Sequence, residues 1–104
     1  MSTEPTFRKY FFYEATEARA LPFLNLSEIK DLVGAKIKRN NVFQEILDWN
    51  ASALSRSQLR SLIHNVNWGC RVYFTKLEQL GHGVSDIQLT LNAMRACNMQ
   101  AVCL

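Results

Sequence analysis

Apolar residues recur at three- and four-residue intervals through most of this chain, the spacing of helices with one buried side. Residues 26–38 gather Leu26, Ile29, Leu32, Val33 and Ile37 on one face. Lys36, Lys38 and Arg39 fall in the last turn, where cations complement the negative helix end. Asn41 and Gln44 open a shorter helical pattern carrying Val42, Phe43, Ile46 and Leu47 and ending near Ala51. The longest pattern runs from Arg56 to Leu80. It keeps Leu59, Leu62, Ile63, Val66, Cys70, Tyr73, Phe74, Leu77 and Leu80 within an arc of about 120°. Gly81 then reads as a left-handed C-terminal cap, and "HGV" turns the chain into a last helix from Asp86 to about residue 100.

Three helix starts share one chemistry. Asn25 is followed by Glu28, Ser55 by Gln58 and Ser85 by Gln88. The first residue of each pair can accept from an orphan N–H of the first turn while the second reaches back to the cap. The flanking apolar pairs Leu24/Ile29, Leu54/Leu59 and Val84/Leu89 would staple each entry.

Two stretches pull against this pattern. "FRKYFFYEATEARA" is strand-like over its aromatic half and helical over its alanine-glutamate half. With no evident partner strand, and with Phe7, Tyr10, Phe11 and Ala18 on one helical face, it is read as a helix that Pro22 ends. In "NVNWG", Asn65, Asn67 and Gly69 are poor helix formers placed to kink the long helix. The expected architecture is therefore one all-α domain over residues 1–104. Four or five helices would surround a central helix at 56–80, with the last helix antiparallel to it.

Composition narrows the class. A 104-residue chain with 48% hydrophobic and 20% charged residues can bury a core without staples and does not fit disorder. No apolar run approaches the ~20 residues of a membrane span, and "MSTEPTFRKY" does not read as a signal peptide, so a soluble cytoplasmic protein is expected. Cys70, Cys97 and Cys103 are odd in number and lack paired spacing, which reads as free thiols. His64 and His82 lie far apart in sequence, and no metal site or cofactor is expected. There is no glycine-rich phosphate loop, nucleophile elbow or evident carboxylate relay, so neither catalysis nor a small-molecule substrate is expected.

Charge points to a surface. The second half carries Arg56, Arg60, Arg71, Lys76 and Arg95 against Glu78 and Asp86, and this excess equals the whole net charge of +3. On a continuous helix Arg60, His64, Asn67 and Arg71 would form one stripe. Gln88, Asn92 and Arg95 would form another on the last helix. Such side chains can meet phosphates and base edges, and a short turn between the two helices would complete a helix-turn-helix. "RVYFTKLEQLGHGVSDIQLTL", residues 71–91, resembles the pattern with which MerR-type regulators follow their DNA-reading motif: an arginine-led helix, a leucine-glycine turn, an isoleucine-bearing helix. Nothing upstream resembles the MerR reading head, so the resemblance carries over no site residue.

A second surface is apolar. Trp68 and Val72 fall opposite the buried stripe of the 56–80 pattern, Leu89 outside the main arc of the last helix, and Trp49 beside the Phe43–Ile46–Leu47 face. Large apolar residues off the core, tryptophan above all, are typical of interface centres. The sequence thus leads to a small non-catalytic interaction or regulatory protein, expected as a homodimer and working through Trp68, Val72, Trp49 and Leu89. The alternative is a nucleic-acid-binding regulator using Arg60, His64, Asn67, Arg71, Gln88, Asn92 and Arg95.

Overall fold

The all-α expectation is overturned. The computed structural model, which describes residues 9–16, 23–34, 37–47, 55–65 and 69–104, is an α/β protein built on a four-stranded parallel sheet. The order along the chain is β1 (Lys9–Thr16), α1 (Leu26–Val33), β2 (Val42–Ile46), α2 (Ser57–Asn65), β3 (Cys70–Phe74), α3 (Gly83–Ala96) and β4 (Gln100–Cys103). Short 3₁₀ turns at Arg39–Asn41 and Leu77–Leu80 precede β2 and α3. The strands lie in the order β2-β1-β3-β4, all parallel.

β1 is strand because every residue from Phe11 to Tyr13 is buried on one face or the other. A parallel sheet covered on both sides rewards a continuous aromatic run, where a half-buried helix would alternate. Phe11, Tyr13 and Ala15 pack with Leu59 and Leu62 of α2 and Met94 of α3. Phe12 packs instead with Ile29 of α1 and Ile37, with Tyr10 and Tyr73 against them. Helix α1 therefore covers one face of the sheet, and α2 and α3 cover the other.

The partner strands escaped the sequence reading because they are short. "VFQEI", "CRVYF" and "QAVC" are four or five residues long, too short to tell a period of 2 from one of 3.6. The expected 56–80 helix is in fact α2, then β3, then a 3₁₀ turn. It breaks where Gly69 takes φ +82°, a left-handed conformation that no helix can continue through. The arginine-led helix of the MerR-type resemblance is consequently strand at Arg71–Phe74. Likewise 26–38 is helical only to Val33, 42–51 opens as β2, and the tail "QAVC" of the expected last helix is β4.

The predicted Asn25–Glu28 capping box forms. Asn25 Oδ1 accepts from the Glu28 N–H at 2.9 Å, and the Glu28 carboxylate accepts from the Asn25 N–H at 3.2 Å. Helix α3 begins earlier than Ser85 would place it, at Gly83, and Asp86 Oδ2 accepts from the His82 N–H at 2.7 Å. Gly81 is extended at φ 170°, so its expected left-handed cap is absent. Its lack of a side chain serves close packing instead, since a Cβ would meet Asp86 Oδ2 at 2.8 Å.

Two measurements check this frame. No atom lies within 4 Å of a Cβ built on Gly69, so Gly69→Ala should lose about 1–2 kcal/mol from backbone strain alone, read from the urea midpoint. On the α1 face, Glu14 Oε1 accepts from the Leu24 N–H at 3.1 Å and from Gln44 Nε2 at 3.0 Å. Burial nevertheless raises its carboxyl above the usual value of 4.5. A raised carboxyl pKa disfavours folding above that pKa and not below the unfolded value. Glu14→Gln should therefore be more resistant to urea than the parent at pH 7, with the two converging at pH 4.

Candidate functional site

In an open parallel sheet the crevice for ligands lies at the carboxyl ends of the strands, where the winding reverses. Here the chain moves from β1 outward to β2, then crosses back to β3, so the reversal lies between β1 and β3. Pairing of β1 with β3 stops at Phe12↔Tyr73, whereas pairing with β2 continues to Thr16↔Ile46. A cleft therefore opens beyond Phe12, and the protein's own polar side chains fill it.

Glu45, on β2, is central to that filling. Its Oε2 accepts from the Tyr13 hydroxyl at 2.6 Å and from the Leu59 N–H at 3.1 Å, and its Oε1 accepts from the Gln58 N–H at 3.2 Å. The carboxylate thus caps the first turn of α2, the role the sequence assigned to Ser55 and Gln58. Burial is the largest cause pushing the Tyr13 phenol far above its ordinary range, followed by the hydrogen bond to Glu45 and the Glu45 charge. Arg56 opposes the shift. Arg56 is fully buried and donates from Nη1 to the Gln79 carbonyl at 2.9 Å. Gln79 in turn spans the cleft at longer range: its Nε2 donates to the Ala15 carbonyl and its Oε1 accepts from the Thr75 N–H, both at 3.4 Å.

Among the described residues, no buried side-chain nitrogen or oxygen is left without a partner, and no three His, Cys, Asp or Glu side chains could hold a metal ion. Burial pushes the Cys70 thiol up to about 11, and Cys70, Cys97 and Cys103 are all unpaired by disulfide. Nor is any helix among these residues long and apolar enough to cross a membrane.

The cluster of Tyr13, Glu45, Arg56 and Gln79 was missed in the sequence. Its one signal was an acid inside the apolar run "VFQEI", which makes sense only if something buried answers it.

The residues singled out from sequence scatter. Val72 is fully buried in β3 between Cys70 and Phe74 of the same face, so it belongs to the core and not to an interface. Arg71 faces the α1 side, where its Nε donates to Gln100 Oε1 at 2.8 Å, so it shares no stripe with Arg60 and His64 of α2. Trp49, Asn67 and Trp68 lie outside the described residues. Gln88, Asn92 and Arg95 are exposed on α3, with Gln88 Nε2 donating to Asn92 Oδ1 at 3.1 Å. Since β3 and a 3₁₀ turn separate α2 from α3, the two helices do not form a helix-turn-helix.

The structure does bring Leu89, Arg60 and His64 together. Helices α2 and α3 lie side by side over the sheet, and a groove of about 300 Å³ runs between them. Leu59, Ile63 and Ala93 contribute apolar surface to it, with Arg60, His64, Asp86 and Thr90 also lining it and Leu89 66% exposed. No family model and no curated protein matches the chain.

Removing Glu45 should be severe. Glu45→Ala strands the Tyr13 hydroxyl and two helix N–H groups, and should cost about 3 kcal/mol or more in chemical denaturation. Tyr13→Phe leaves the carboxylate its two backbone donors and should cost only about 1 kcal/mol.

Proposed function

We propose that this is a non-catalytic interaction protein whose working surface is the α2–α3 groove, and that the groove seats an amphipathic helix of a protein partner. The observation that carries this reading is Leu89, a large apolar side chain 66% exposed beside an apolar groove. Leucine at such a position contributes nothing to the core, and helix-in-groove recognition uses this combination of apolar floor and charged rim. The non-catalytic part is supported by the cleft between β1 and β3. There Glu45, Tyr13, Arg56 and Gln79 are engaged with one another and with backbone, which ties up the groups a reaction would use. A cytoplasmic location is part of the proposal, and three free thiols suit a reducing compartment.

Selection from a displayed library of helical peptides tests the groove. Enriched sequences should share an apolar stripe at i, i+3 or i+4, and i+7, and their affinity should be nearly indifferent to salt. Leu89→Asp should abolish their binding while leaving the circular dichroism unchanged. Binders that tolerate Leu89→Asp, or that weaken steeply with salt as phosphate-like contacts do, would refute the assignment.

A further inference from the structure

Among the described residues β4 is an edge strand: it pairs there with β3 alone, in unbroken register from Arg71↔Gln100 to Phe74↔Cys103, so one row of its backbone N–H and C=O groups faces away from the sheet. Proteins usually guard such an edge with lysine, proline, a bulge or an inward charge. β2, at the opposite edge, carries the buried charge of Glu45. The segment "QAVCL" has no charged side chain, no proline and no bulge, and Arg95 is the last residue before it with a charged side chain.

We propose that the outer edge of β4 pairs antiparallel with β4 of a second copy of this chain, joining two four-stranded sheets into one of eight. What such an edge can accept is narrow, because only another extended backbone satisfies its outward groups. Neutrality points to self-pairing: a two-fold axis brings the residues nearest to it close to their own copies, so any charge close to the axis would face its like.

The register follows from the pleat. An in-plane half-turn keeps each sheet face on its own side, so only residues of the same face can stand opposite one another. The Leu104 N–H donates to the Phe74 carbonyl at 2.8 Å, so alternation turns the N–H and C=O groups of Ala101 and Cys103 outward. Centring the axis on Val102 sets Ala101 opposite the partner's Cys103 as a hydrogen-bonded pair and Gln100 opposite the partner's Leu104. Val102 then meets its own copy as a non-hydrogen-bonded pair, with Cα atoms about 4.5 Å apart. Centring on Ala101 instead would bring Leu104 against the partner's Asn98, whose φ of 57° has already left the strand. The Val102-centred register is the one that engages the whole segment.

This goes beyond the groove reading and stands without it. Sedimentation velocity on the full chain across a concentration series should show a monomer–dimer equilibrium. Ala101→Pro deletes an outward donor while sparing the pairing with β3, and Val102→Lys sets two like charges opposite each other at the axis. Each should weaken the dimer at least tenfold, and the lysine variant keeps the test open should the proline variant misfold. In a Cys97→Ser, Cys103→Ser background, Val102→Cys should oxidise to a covalent dimer while Ile46→Cys, on the other edge, does not. Leu89→Asp should leave the dimer intact, which separates this contact from the groove. A parent chain that stays monomeric throughout, or a dimer that survives both β4 variants, would overturn the proposal.

Discussion

The buried carboxylate of Glu45 joins three elements that the chain makes far apart. It ties β2, where it sits, to the phenol of Tyr13 on β1 and to the first-turn amides of α2 at Gln58 and Leu59. A lone carboxylate in such a place would be very costly. Three donors, two of them backbone groups at the positive end of a helix, offset that cost and fix the angle at which α2 leaves the sheet edge. With α2 set, Arg56 just before it is carried under the 3₁₀ turn and holds the Gln79 carbonyl, and the Gln79 side chain spans the cleft. The closed crevice and the lie of α2 against α3 both follow from where that one carboxylate binds.

Closing the crevice moves the protein's available chemistry to its outside. The crevice between β1 and β3 is occupied by side chains that answer one another, and two features of the described surface stand out beside it. Leu89 beside the α2–α3 groove is apolar surface without a core to join. The outer edge of β4 is a row of backbone groups without a neighbouring strand among the described residues. On the readings proposed above, the first would seat a helix and the second a strand. A dimer joined along β4 would keep its two grooves on the same face of the continuous sheet, since the half-turn that relates them does not exchange faces. Two helical segments on one partner could then be held together, each raising the effective concentration of the other.

The sequence made some of this legible and hid the rest for identifiable reasons. The Asn25–Glu28 capping box was readable because all its parts are local, three residues apart. The doubt over "NVNWG" was well placed, since the helix does end there and Gly69 supplies the positive φ. What local pattern could not show was that strands only four to five residues long can mimic the apolar spacing of helices. Cys70, Val72 and Phe74 satisfied a helical arc and also a strand alternation, and only the distant partners of β1 decided between them. The same ambiguity turned Val72 from an expected interface residue into core and moved Arg71 away from Arg60. Of the polar cluster, Glu45 was visible only as a charge out of place, because its three partners come from β1 and α2.

Native-state hydrogen exchange at the Gln58 and Leu59 amides tests most directly whether Glu45 organises the fold. First-turn amides of a helix ordinarily lack an intrahelical acceptor and exchange quickly. Here both donate to a buried carboxylate, so they should exchange only as slowly as the amides of the central strands, through opening of the whole molecule. Exchange as fast as that of an exposed loop would mean that the carboxylate does not hold α2, and the account of the closed cleft would fall with it.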